Sequence, residues 1–135
     1  MATQGSPLAG RTELARRCYV LGDDCSLVCY TNTAGSLGDA TLAADLVQPP
    51  LANGYSPIPL AKTNWTVAGG IATYNDPAGV AGDPTWSASG AWGADPVNGV
   101  AMIYGTVVLH FRDLSLAFVA AANRKLSESI SNLLM

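Results

Sequence analysis

Charge is scarce in this chain. Only 13% of its 135 residues are Asp, Glu, Lys or Arg, about half of the roughly 25% usual in a soluble domain. Seven basic residues against ten acidic ones give a net charge of −3, too few cations to neutralise a run of phosphates, so nucleic acid is not an expected partner. Histidine is scarcer still, with His110 alone. A single imidazole inside the apolar run Val107 to Phe111 does not make a Ser-His-acid arrangement, and it reads as a partly exposed strand residue. The three cysteines, Cys18, Cys25 and Cys29, are an odd number with no C-x-x-C pair. That argues against both a disulfide framework and zinc spacing, and buried reduced thiols are expected. Long apolar runs are missing too. The richest, Val100 to Phe111, is interrupted by Gly105, Thr106 and His110 and falls short of the ~18 residues a membrane helix needs. No membrane partner is expected, and the first twenty residues have no apolar segment of a secretion signal.

What is present is apolar and small: 49% hydrophobic residues with 14 Gly and 8 Pro. A surface with so few charges is adhesive, which points to an assembled protein. The length suits one domain with a real core. Residues 1–11 are polar and Gly/Pro-containing, and read as an N-terminal arm. The segment Thr12 to Leu21 reads as a short helix, capped by Thr12, with Leu14, Cys18 and Leu21 on one stripe and Gly22-Asp23-Asp24 as its stop.

Strands and turns follow. Cys25 to Tyr30 reads as a short strand with Cys25, Leu27 and Cys29 on one face. Ala40 to Gln48 is ambiguous, and Leu51 to Leu60, with Pro57 and Pro59, fits only an edge or an irregular stretch. Trp65 to Val67 and Ile71 to Tyr74 flank Ala68-Gly69-Gly70 as a hairpin. Thr85 to Ala88 is a strand candidate in a Gly/Pro-rich region. Val100 to Phe111 reads as one long strand bent at Gly105, followed by Leu116 to Ala121. Lys125 to Leu134 is ambiguous between helix and strand, with strand favoured. The expected architecture is mainly β: a single β-sandwich or jelly-roll-like domain over 12–135, with a short leading helix and an arm.

No catalytic, cofactor-binding or metal-binding residues emerge. Asp23-Asp24, or Asp39 with Asp45, could touch a calcium ion, but no EF-hand pattern surrounds them and turn carboxylates are the simpler reading. Ala68-Gly69-Gly70 and Ala78-Gly79 lack the phosphate-loop lysine and glycine spacing. Asn64-Trp65-Thr66 matches a glycosylation acceptor, without a secretion signal to give it weight. Two groups stand out. Arg11, Arg16 and Arg17 gather near the N-terminus with Glu13 as the only acid before Asp23, and form a candidate contact arm. Trp86 and Trp92, in the loop-rich middle, are candidate interface aromatics. With Trp65 they could instead stack on sugars, as in a carbohydrate-binding module.

One ordered set of segments resembles a known family. It comprises Cys25-Ser26-Leu27-Val28-Cys29-Tyr30-Thr31-Asn32, then Gly54-Tyr55-Ser56-Pro57-Ile58-Pro59-Leu60 leading into Asn64-Trp65-Thr66-Val67, then Gly70-Ile71-Ala72-Thr73-Tyr74, Met102-Ile103-Tyr104-Gly105 and Phe118-Val119-Ala120-Ala121-Ala122. It is similar to small tailed-phage virion proteins with "LxLYTN", "GYxPIxL…W", "GG-A-Y" and "YG" elements, over roughly residues 12 to 134. The sequence departs from that pattern between Asp76 and Asn98. The resemblance carries no catalytic residue. It implies a non-enzymatic virion protein, assembled in the host cytoplasm. The leading expectation is a capsid decoration (cement) protein, a homo-oligomer taken as a trimer, bound to the major capsid protein or other virion proteins. A tail or head–tail connector component is the alternative.

Overall fold

The computed structural model describes residues 8–20, 22, 24–77 and 82–130. The arm residues 1–7, the expected helix end at Leu21, Asp23, Ala78-Gly79 and the far C-terminal residues Leu133 and Leu134 lie outside the described residues. The chain is mainly β, and the strands of the described residues form three antiparallel sheets. The largest has four strands: β1 (Cys25–Tyr30), β2 (Ile58–Leu60), β6 (Val97–Tyr104) and β7 (Val107–Phe118), in the order β2-β1-β6-β7. A hairpin pairs β3 (Trp65–Ala68) with β4 (Ile71–Tyr74), and a ribbon pairs β5 (Thr85–Ala88) with β8 (Arg124–Ser127).

Local chemistry explains most of these elements. β1 is apolar almost throughout because both its faces are covered. Cys25, Leu27 and Cys29 enter the main core, while Val28 and Tyr30 pack with Leu46 and Ala101 on the other side. Pro59, which has no N–H to donate, sits in β2 at the sheet edge, paired only with Ser26. Gly69 and Gly70 both take positive φ (60° and 76°) between Ala68 and Ile71, which a two-residue hairpin turn of matching twist requires.

Three expectations need correction. The helix begins at Leu8 and runs as α1 (Leu8–Ala15) into a π-helical turn over Arg16–Val20, so residues 8–11 are helical and not part of an arm. Thr12 does not cap it: its hydroxyl donates to the Leu8 carbonyl at 2.8 Å from inside the helix, and Cys18 is exposed and not part of a buried stripe. The apolar run from Val100 is not one bent strand. The chain reverses at Gly105 (φ 58°) and Thr106, and Tyr104 pairs with Val107. Apolar residues on both sides concealed a turn that only glycine's left-handed backbone marks. Finally, the stretch from Leu116 is strand only to Phe118, and the C-terminal strand covers Arg124–Ser127.

One core draws on all three sheets. It includes Leu27, Tyr55, Leu60, Trp65, Trp86, Trp92, Val97, Val100, Met102, Phe118 and Leu126. The N-terminal segment is tied to it by Tyr19, stacked on Trp65 with ring centroids 4.4 Å apart. Gly99 lies under the Tyr30 ring, so close that any side chain there would occupy the ring's space.

A candidate association surface

The two residue groups singled out from the sequence meet different fates. Trp86 and Trp92 are 2% and 3% exposed, and their indole N–H groups donate to the carbonyls of Ser56 (2.7 Å) and Asn53 (2.9 Å). They are core residues that pin the irregular 51–56 segment, which corrects the interface assignment. Trp65 is buried as well, so none of the three indoles offers a face to a sugar.

Arg16 and Arg17 are exposed but not bare. Arg16 makes a forked pair with Glu13 (Nε 2.9 Å, Nη2 2.7 Å), and Arg17 Nε reaches the same carboxylate at 3.0 Å. The hydrogen bonds from Arg16 and then Arg17 hold the Glu13 carboxyl down at about 2. Arg11 lies in α1, and its side chain is outside what the structure describes. The basic cluster therefore stands on a helical segment packed against β3 and β4, not on a free arm, with one carboxylate shared between two guanidiniums.

His110 sits in β7 with its Nε2 3.3 Å from Tyr19 Oη. Burial pushes its pKa below the ordinary 6.5, so the ring is neutral near neutral pH. Three aspartates brace loops and strands of their own chain. Asp45 accepts from Leu42 N–H, Asp24 from Lys62 N–H, and Asp113 from both Tyr30 Oη and Gly35 N–H at 2.7 Å each. Among the described residues no group of three or more His, Cys, Asp or Glu could hold a metal ion.

Sequence reasoning missed the pairing of Arg112 with Glu128. Glu128 is fully buried just after β8, and Arg112 of β7 grips it with Nε (3.1 Å) and Nη2 (2.6 Å). The pair fastens the C-terminal ribbon to the four-stranded sheet. The available signal was Arg112-Asp113, two charges in the middle of an otherwise apolar strand.

Strand β7, which ends the four-stranded sheet, carries three exposed apolar residues. Val107 is 46%, Phe111 39% and Leu116 83% exposed. Val97 pairs with Phe118 and Gly99 with Asp113, so residues 114–117 stand against Asn98 alone and bulge, carrying Leu116 outward. Among the described residues the outer side of β7 is bridged once, from Leu42 to Val107. Beyond that bridge a cleft of about 390 Å³ opens between Gly38, Asp39 and Thr41 and the four consecutive residues Val108, Leu109, His110 and Phe111. Side chains alternate along a strand, so four consecutive lining residues mean that the strand's edge borders the cleft. A long apolar edge is a ready template for another chain.

No family model matches this chain, and neither a curated protein nor a solved structure matches it significantly.

Proposed function

We propose that this protein is a non-catalytic structural subunit of a tailed-phage particle, a capsid decoration protein that acts by adhesion as a homo-oligomer on the major capsid protein, with its strands closing as a single sandwich-like domain. The observation that carries this reading is the contrast between its side chains. The tryptophans, two of the three thiols and the carboxylates of Asp24, Asp45, Asp113 and Glu128 are committed to the chain's own packing, while the edge strand β7 leaves Val107, Phe111 and Leu116 in solvent. Low charge and an apolar edge suit a subunit whose surface is completed by neighbours. Arg16 and Arg17, sharing one Glu13, keep a net positive charge that would meet an acidic capsid face.

Two measurements test it. Sedimentation of the purified chain should show an oligomer that Phe111→Lys with Leu116→Lys converts to monomer. A sedimenting monomer in the parent chain would overturn the edge mechanism. Stained gels of purified particles should show hundreds of copies, as symmetric decoration of a shell requires. About a dozen copies would move the protein to a tail or connector ring instead, and absence from particles would reject the virion reading.

A further inference from the structure

The three thiols lie at three depths. Cys18 is exposed on the π-helical turn, Cys25 is buried at the start of β1, and Cys29 is buried further along the same strand. Cys18 and Cys25 line one cavity of about 190 Å³ together with Arg17, Gly22, Tyr104 and Leu109. Gly22, which also lines this cavity, lies so close to the Cys18 carbonyl that a Cβ would come to 2.7 Å from its oxygen. The two sulfurs also sense each other electrostatically, since negative charge on Cys18 raises the Cys25 pKa.

We propose that Cys18 and Cys25 are a redox-responsive pair that closes to a disulfide, stapling the N-terminal helical segment to the first strand of the sheet. This goes beyond the adhesive function and does not depend on it. The oxidant is a small-molecule disulfide, RSSR. Cys18, the accessible thiol, loses its proton to solvent and attacks one sulfur, expelling RS⁻ and leaving a mixed disulfide on Cys18. Cys25 then loses its proton, and its sulfur attacks Cys18 Sγ, breaking the mixed disulfide and expelling the second RS⁻. Both RS⁻ ions take up the released protons. Two protein thiols are oxidised, and one RSSR is reduced to two RSH. Burial holds Cys25 up at about 11, so the second step is the slow one and should speed up about tenfold per pH unit below that value, as its thiolate fraction grows. Cys29, also raised by burial, stays out of the exchange.

The test treats the full chain with oxidised glutathione at about pH 7 and about pH 9, followed by intact mass and non-reducing peptide mapping. The expected result is a glutathione adduct on Cys18 that accumulates at the lower pH. At the higher pH it should convert to a glutathione-free chain two hydrogens lighter, with Cys18 joined to Cys25. Cys25→Ser should stop at the adduct, and Cys18→Ser should remain unmodified. The proposal is overturned if the wild-type adduct persists at the higher pH, or if the map shows Cys25 joined to Cys29 or Cys18 joined to a second chain. The wild-type map decides this even where the Cys25 variant does not fold.

Discussion

A fully buried carboxylate is the most exposed weakness of this protein. Glu128 has one charged partner described, Arg112, whose side chain is 39% exposed. Removing the guanidinium leaves a buried charge uncompensated, which costs about 3–5 kcal/mol in comparable sites. Because solvent reaches Arg112, Arg112→Ala should fall at the low end, about 3 kcal/mol by urea unfolding. The double variant Arg112→Met with Glu128→Leu should recover most of that loss, since a well-packed apolar pair can replace a buried ion pair. A single variant as stable as the parent would mean that water satisfies Glu128. His110 gives a pH signature. Its pKa is lowered by burial in the folded chain, so the unfolded chain binds the proton more readily. Stability is therefore retained above the ordinary value of 6.5 and falls as pH drops below it towards the lower folded pKa. His110→Gln should flatten that limb of the stability–pH curve measured by thermal melting, and an unchanged slope would remove His110 as its source.

Among the elements, the β6–β7 hairpin depends on a single backbone conformation. Gly105 holds φ 58° with open space around its Cα, so a side chain there meets no clash and only the left-handed strain remains. Gly105→Val should cost about 1–2 kcal/mol through that strain alone, read as a lowered melting temperature with the same folded spectrum. Gly99 fails for the opposite reason. Its backbone is ordinary, but Tyr30 fills the space above it. Gly99→Ala forces the ring away from its 2.7 Å bond to Asp113 and should cost about 1–3 kcal/mol as overpacking. Equal tolerance at both glycines would contradict this division. The edge strand adds a third behaviour. Phe111 and Leu116 project outward, so the lysine substitutions there should alter association while leaving the melting temperature within a few degrees.

At the scale of the whole molecule, the aromatic residues connect the sheets. Tyr19 stacks on Trp65, Trp65 meets Tyr74 edge-on, and Tyr55, Trp92 and Phe118 form a second chain that Arg124 caps at 5.1 Å from the Phe118 ring. Each tryptophan is at most 4% exposed, so native fluorescence should be blue-shifted and acrylamide-resistant, with a single transition to exposed emission on unfolding. Much of the scaffold was legible in the sequence. The doubly buried strand at Cys25–Tyr30, the Gly69-Gly70 hairpin, the strand at Thr85–Ala88 and the edge position of Pro59 each follow from a handful of adjacent residues. The association surface was not, because nothing in the run from Val107 to Phe118 announces that, among the described residues, no further strand lies beside it.

Local steric rules therefore settled some of the turns and strands of this chain, such as the Gly69-Gly70 hairpin and the edge place of Pro59, since a proline's missing N–H or a glycine's left-handed φ acts on its immediate neighbours. Only the tertiary structure decided that Trp86 and Trp92 face inward, that Arg16 and Arg17 share Glu13, that the apolar run reverses at Gly105, and that Glu128 finds Arg112. Burial and charge pairing depend on which distant segments come together. Residues 16 positions apart become partners through the sheet pairing and chain closure between them, which no window of adjacent residues encodes.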